Sequence, residues 1–125
     1  MAGRPRKASS GFAPLESEVM DAIWGASRPV SVREIVDTLN ERRAEPLAYT
    51  TVMTVMNRLT TKGVLARNGE RRSYVYEATA PDAAGIAVRD VIRTHGDAAL
   101  AHFVDEARAD PGVLDRLRGL LAEDS

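Results

Sequence analysis

The stretch Ala48–Leu65, AYTTVMTVMNRLTTKGVL, decides how this chain folds. Val52, Val55, Met56 and Leu59 recur at i, i+3, i+4 and i+7, the apolar stripe of an amphipathic helix. The spacing predicts a helix over Tyr49–Lys62, stopped by Gly63 and spanning about 21 Å at 1.5 Å per residue. Its other face carries Thr50, Thr51, Thr54, Asn57, Arg58, Thr61 and Lys62, and no acidic residue occurs between Pro46 and Asn68. A merely solvated face mixes both signs of charge. A ridge of threonines with basic residues at its end and no carboxylate suits a surface that approaches phosphates and base edges.

Upstream, the same helical period occurs twice more. Ser31-Val32-Arg33-Glu34 fits a capping box, in which the serine hydroxyl and the glutamate carboxylate each satisfy the other's backbone N–H. Val32, Ile35, Val36 and Leu39 follow as an apolar stripe, predicting a helix that ends near Arg42-Arg43. Leu15, Val19 and Ile23, with Met20 and Trp24 beside them, predict an earlier helix for which Gly25 is the expected stop. Met20 and Trp24 read as core.

Downstream the period falls to two. Val64–Arg67 and Ser73–Glu77 read as strands joined through Asn68-Gly69-Glu70, since Asn-Gly supplies the positive φ of a tight hairpin. Arg67, Arg71 and Arg72 crowd its tip, and Tyr74 and Tyr76 share one side of the second strand and are expected to seal the ribbon against the helices, a phenol–phosphate hydrogen bond being the alternative. Three helices followed by a basic two-stranded ribbon is the order of a winged helix-turn-helix. The expected fold is therefore mainly α with a small β-hairpin, a winged domain over residues 12–80.

Residues 1–11 are basic and rich in Gly, Ser and Pro, and read as a flexible arm. Gly3-Arg4-Pro5-Arg6-Lys7 within it is either a solvated tail or a minor-groove element, with Arg4, Arg6 and Lys7 as the contacts. Residues 81–125 return to helical stripes: Val88, Val91 and Ile92, then Leu100, Phe103, Val104 and Ala107, then Leu114, Leu117, Leu120 and Leu121, separated by Gly96 and Pro111-Gly112. So short a segment encloses little core alone. The expectation is a three-helix dimerisation segment, with Val91, Leu100, Phe103, Val104, Leu114, Leu117, Leu120 and Leu121 meeting a second copy.

Charge is distributed in the same sense. Residues 1–80 hold 12 Lys+Arg against 9 Asp+Glu, a balance of +3, whereas residues 81–125 hold 5 against 9, a balance of −4. The first half is the one suited to a polyanion. Cys is absent, which excludes disulfides and thiolate metal sites. No apolar run approaches the ~20 residues of a membrane span, and no hydrophobic stretch follows the basic N-terminus as in a secretory signal. The expectation is a cytoplasmic protein without direct membrane contact, cofactor or metal. His95 and His102 share a helix face only if one helix continues through Gly96, and no phosphate loop, nucleophile elbow or zinc signature occurs, so an enzyme is not expected.

With that layout in place, LESEVMDAIW, PVSVREIVDTL, AYTTVMTVMNRLTTKGVL and RRSYVYEA, in that order and spacing, make the sequence resemble the penicillinase-repressor family, which includes the beta-lactamase and methicillin-resistance repressors and copper-responsive relatives. The resemblance is strong over residues 12–80 and looser beyond. It implies a homodimer that represses transcription from an inverted-repeat operator in double-stranded DNA, with the third helix in the major groove and the wing beside it. In some relatives a membrane-bound sensor protease cleaves an Asn-Phe bond. The comparable position here is His102-Phe103, which lacks the Asn, so induction by that specificity is not expected while such a sensor protease stays a candidate partner. Copper sensing through C-terminal cysteines is excluded. On this reading Thr50, Thr51, Met53 and Thr54 face base edges, while Tyr49, Arg58, Lys62, Arg71 and Arg72 hold phosphates. The competing reading is a winged helix that binds protein and never DNA.

Overall fold

A computed structural model describes residues 12–123. The arm residues Arg4, Arg6 and Lys7 lie outside the described residues. The order is α1 (Pro14–Ala26), α2 (Val32–Asn40), α3 (Tyr49–Thr61), β1 (Leu65–Asn68), β2 (Val75–Ala78), α4 (Ala83–His95), α5 (Asp97–Ala109) and α6 (Pro111–Glu123). The chain divides into two compact units between Ala87 and Val88, a division that falls inside α4.

In the first unit, α1 starts at Pro14, where the missing N–H costs nothing. The Glu16 carboxylate folds back to accept from the Ala13 N–H at 3.0 Å, which is half a capping box, since Ala13 has no side-chain acceptor to complete it. The expected stop at Gly25 is not used: α1 runs through it and ends at Ser27, which adopts the left-handed conformation with φ 58°. The capping box of α2 is as the sequence reads, with the Glu34 N–H donating to Ser31 Oγ at 3.1 Å and the Ser31 N–H to Glu34 Oε1 at 2.9 Å. This helix stops at Asn40, before Arg42-Arg43, because Asn40 serves the next turn. Its Oδ1 accepts from the Leu47 N–H at 2.8 Å and its Nδ2 donates to the Leu47 carbonyl at 3.2 Å. That reciprocal pair ties the end of α2 to the approach of α3.

The stripe Val52, Val55, Met56 and Leu59 is buried, as its period requires. Helix α3 closes in a Schellman motif: the Gly63 N–H donates to the Thr60 carbonyl at 3.0 Å and the Val64 N–H to the Leu59 carbonyl at 2.9 Å. Gly63 has φ 82°, and the buried pair Val64 and Leu59 supplies the apolar contact that accompanies the motif.

Strands β1 and β2 pair antiparallel, Leu65 with Ala78 and Arg67 with Tyr76. The tight Asn-Gly hairpin does not form. Asn68 stays in β1, Gly69 takes φ 94°, and the reversal occurs at Glu70–Ser73, where the Ser73 N–H donates to the Glu70 carbonyl at 2.7 Å. Gly69 is required there, since a Cβ would lie 3.0 Å from the Ser73 carbonyl oxygen. On its other edge β2 exchanges two backbone hydrogen bonds with Val30, 2.9 and 2.8 Å, so the loop before α2 adds a third, one-residue rung to the wing. The Trp24 indole N–H donates to the Ala80 carbonyl at 2.9 Å and joins α1 to the chain leaving β2. Val19, Met20, Val30, Ile35, Val52, Met56 and Leu59 form the best-buried part of the core.

The second unit holds the rest of α4, with α5 and α6 packed on each other. Gly96, at φ 58°, breaks the chain between α4 and α5, so His95 and His102 lie on different helices. The break between α5 and α6 falls at Asp110, with Pro111 opening α6; the Asp110 carboxylate accepts from the Gly112 and Val113 N–H groups at 3.0 and 3.3 Å. Of the residues described in this unit only Ala107 is buried, and Leu114 and Leu117 are half-buried. Val91, Ile92, Leu100, Phe103, Val104, Leu120 and Leu121 are exposed. No helix among the described residues is long and apolar enough to cross a membrane.

One buried carboxylate makes the first unit sensitive to acid. Glu16 is 3% exposed and accepts from the Lys62 ammonium at 3.1 Å. Burial pushes its pKa up, but the Ala13 N–H and the bond and charge of Lys62 outweigh burial and hold it below the ordinary carboxylate value. The folded protein therefore binds this proton less tightly than the unfolded chain. The stability Glu16 confers is complete above its unfolded pKa and is lost as pH falls toward the folded one. Between about pH 5 and pH 3 the thermal midpoint of wild-type protein should fall more steeply than that of Glu16→Gln. Parallel pH profiles would show that the ion pair carries no stability.

Candidate nucleic-acid interface

Helix α3 divides lengthwise. Behind the buried stripe, Thr50, Thr51, Thr54, Asn57, Arg58 and Thr61 are all exposed. The N-cap is Ala48, which supplies no side-chain acceptor, and no acidic residue occupies the first turn. The positive end of the helix dipole thus has no counter-charge in the helix's own first turn. Thr60 differs from the other threonines: its hydroxyl donates to the Met56 carbonyl at 2.8 Å and is committed within the helix.

Beside the ridge runs a groove between α3 and the wing. Tyr49, Met53 and Asn57, at i, i+4 and i+8 on α3, form one wall, which Ser31, Val32 and Arg33 extend beside Tyr49; Arg67 and Arg71–Tyr76 form the other. Four arginines line it and no carboxylate does. Arg71 and Arg72 occupy the two central positions of the Glu70–Ser73 turn and are exposed. The inner face of the wing changes character along its length. Near the body it buries Leu65 and Tyr76; toward the tip the same face presents Arg67 and Tyr74, with the guanidinium 4.3 Å from the ring centroid. Tyr76 accordingly seals the ribbon as expected, whereas Tyr74 is only half-buried and faces the groove. Across the groove Arg33 stands 4.9 Å over the ring of Tyr49.

Three glutamates of this unit are held in ion pairs, whereas Glu70, at the start of the wing turn, is exposed and makes none among the described residues. Glu34 accepts from Arg28 at 2.7 Å, and that bond, with the Ser31 N–H, lowers its pKa to about 2. Glu18 accepts from Arg43 at 2.8 and 2.9 Å, and Glu16 from Lys62. Among the described residues, Arg33, Arg58, Arg67, Arg71 and Arg72 make no ion pair. A groove lined by four guanidiniums and no carboxylate is complementary to a polyanion.

The residues singled out from sequence thus fall into groups. Tyr49, Met53, Arg71 and Arg72 come together in the groove; Thr50, Thr51, Thr54 and Arg58 lie on the adjoining ridge. Met53 is half-buried and also packs against the core. Lys62 sits at the far end of α3 with its charge already offset by Glu16. His102 and Phe103 are exposed in the middle of α5. Sequence reasoning passes over Arg33, which reads as a surface residue of a helix start, and gives Arg67 and Asn57 no role. For Arg67 a signal exists, because pairing Arg67 with Tyr76 puts Tyr74 diagonally beside it on the same face.

The chain is similar to known proteins in sequence and in fold. The profile of the penicillinase repressor family matches residues 12–123. The transcriptional regulator BlaI of Mycobacterium tuberculosis, from strains CDC 1551 and H37Rv, is 37% identical over 116 residues, covering 87% of this chain and 81% of that protein. Among solved structures, two complexes of hsRosR superpose with TM-scores of 0.51 and 0.50 at 15% identity, covering 91% and 90% of this chain and 92% and 89% of theirs. At that identity the likeness concerns the winged-helix fold alone.

Proposed function

We propose that this chain, which belongs to the penicillinase repressor family, represses transcription as a homodimer on an inverted-repeat operator, reading bases with α3 and holding phosphates with the wing. It is a transcriptional repressor and not an enzyme. The observation that carries the operator reading is the exposed, carboxylate-free ridge of α3 beside a groove lined by four arginines. Helix α3 has 13 residues, about 20 Å, and is long enough to lie across a major groove. Thr50, Thr51, Thr54 and Met53 offer methyl groups and hydroxyls to thymine methyls and base edges. Arg58, Arg71 and Arg72, assisted by Tyr49, fix register through phosphates. Lys62 contributes less, because Glu16 neutralises it.

The dimer follows from energetics. A threonine-rich half-site lacks the arginine–guanine pairs worth ~1–3 kcal/mol each. Two joined modules make the second engagement intramolecular. The exposed apolar side chains of α4, α5 and α6 are the surface for joining them, and half-sites about 34–36 Å apart would present successive major grooves.

The test begins with a duplex that the wild-type protein enriches from a random-sequence pool. Thr54→Ala should change which bases are preferred, whereas Arg71→Ala should weaken selected and random duplexes alike and flatten the dependence of log K on log salt by about 1. A palindrome should emerge from the selection. If nothing is enriched, or if binding of duplex is indifferent to salt, the winged domain serves protein contacts and the operator reading is wrong.

A further inference from the structure

We infer that Arg33 on Tyr49 and Arg67 on Tyr74 form a clamp on a single DNA backbone strand, which lies in the groove with a guanidinium held over a tyrosine ring on each wall. The inference rests on the operator reading above and adds residues and a path to it. The two guanidiniums lie 4.9 and 4.3 Å from their ring centroids. A guanidinium held over a ring by cation–π attraction keeps N–H donors that the ring does not use. Their planar fork fits phosphate oxygens. A side chain already held on an aromatic platform loses less rotamer freedom on binding than a free one. The tyrosines are therefore positioning residues and the arginines the contacting ones.

Three further observations favour an anionic strand as the occupant. The groove wall contains no Asp or Glu. Glu34, the neighbour of Arg33, is fastened to Arg28 and to the Ser31 N–H, so it does not neutralise Arg33. Arg71 and Arg72 continue the positive lining beyond Arg67 to the tip of the wing. Cations on two facing walls, extended along one of them, match a row of phosphates better than a single compact anion.

The experiment uses the full chain and the duplex it enriches, with affinity measured by fluorescence anisotropy across a salt series. Arg33→Ala and Arg67→Ala should each make the slope of log K against log salt shallower by about 0.9. Tyr74→Leu and Tyr49→Leu keep every charge, yet should weaken binding roughly two- to fivefold, the size of an exposed cation–π contact. Tyr74→Phe keeps the platform and should bind like wild type. In a double-mutant cycle, Arg67→Ala with Tyr74→Leu should be no weaker than Arg67→Ala alone. Additive losses, or leucine variants of both tyrosines that bind like wild type, overturn the clamp while leaving the operator reading intact. Should Tyr74→Leu prove unfolded by thermal melting, the same cycle on Arg33→Ala and Tyr49→Leu, at a site 40% exposed, decides the matter in its place, with Tyr49→Phe separating the ring platform from the hydroxyl. A wild-type protein that enriches no duplex overturns the operator reading and the clamp with it.

Discussion

Phe103→Asp is expected to turn the protein into a monomer and to weaken operator binding by a factor of about 10²–10⁴, the gain lost when two linked modules are separated. Phe103 is 53% exposed on α5, and Leu120 and Leu121 on α6 are 61% and 64% exposed. Singly such exposure is ordinary. Here Val91, Ile92, Leu100 and Val104 are exposed as well, in a unit whose one buried residue among those described is Ala107. At ~25 cal/mol per Å² of apolar surface, leaving these side chains in water forgoes several kcal/mol that a second copy would recover. An aspartate at Phe103 would instead have to be desolvated in that contact, which is prohibitive without a partner. Phe103 is a better probe than Leu117. The latter is half-buried within the chain, so Leu117→Asp would disturb the packing of α5 on α6 before any second copy is involved. Sedimentation reads the assembly state, and anisotropy on the enriched duplex reads the affinity. A Phe103→Asp protein that stays dimeric and binds normally would show that α5 is not the interface.

How far the fold is legible depends on how local its causes are. The three helices of the winged domain can be read because each buries one stripe at a fixed period and two of their ends are governed by adjacent residues, Ser31 with Glu34 and Gly63 with Val64. The stop of α1 escapes such reading because a glycine permits the left-handed turn but does not compel it; the turn falls at Ser27, next to the run that must lead Val30 onto β2. The wing connection escapes it for a related reason. Asn68-Gly69 has the chemistry of a two-residue turn, but closing there would give up the pairing of Asn68 with Val75. The bridge from Val30 to Tyr76 involves one residue and leaves no periodic trace.

The site is legible on the ridge and only partly in the groove. Absence of carboxylates along α3 is a property of one segment and can be counted in the sequence. The placing of Arg33 over Tyr49 depends on the angle at which α2 meets α3, which the Asn40–Leu47 hydrogen bonds help to fix. Glu16 goes unnoticed because a glutamate in the first turn of a helix is ordinarily a solvated partner of the helix dipole. Its burial and its bond to Lys62 arise only when the start of α1 meets the end of α3.

Leu59→Ala should cost the winged unit about 2–5 kcal/mol, a large share of the ~5–15 kcal/mol that holds a domain together. Leu59 is 0% exposed and sits where α3 meets the rest of the core. Its removal leaves a cavity that the neighbouring Val52 and Met56, equally inaccessible, cannot easily collapse into. It also strips the apolar contact with Val64 that seats the Schellman turn and thereby the start of the wing. A midpoint lower by roughly 10 °C or more is expected for a unit of this size. The fluorescence of Trp24, the chain's one tryptophan, reports on this unit alone, being hydrogen-bonded to Ala80 within it. Thr54→Ala, on the exposed side of the same helix, should change stability by no more than about 0.5 kcal/mol while altering base preference. The contrast separates the two duties of α3: its apolar stripe holds the fold, and its threonine ridge reads the duplex. If Leu59→Ala melted within a degree or two of wild type, α3 would not be anchored through that stripe, and a reading face presented by it could have no fixed register.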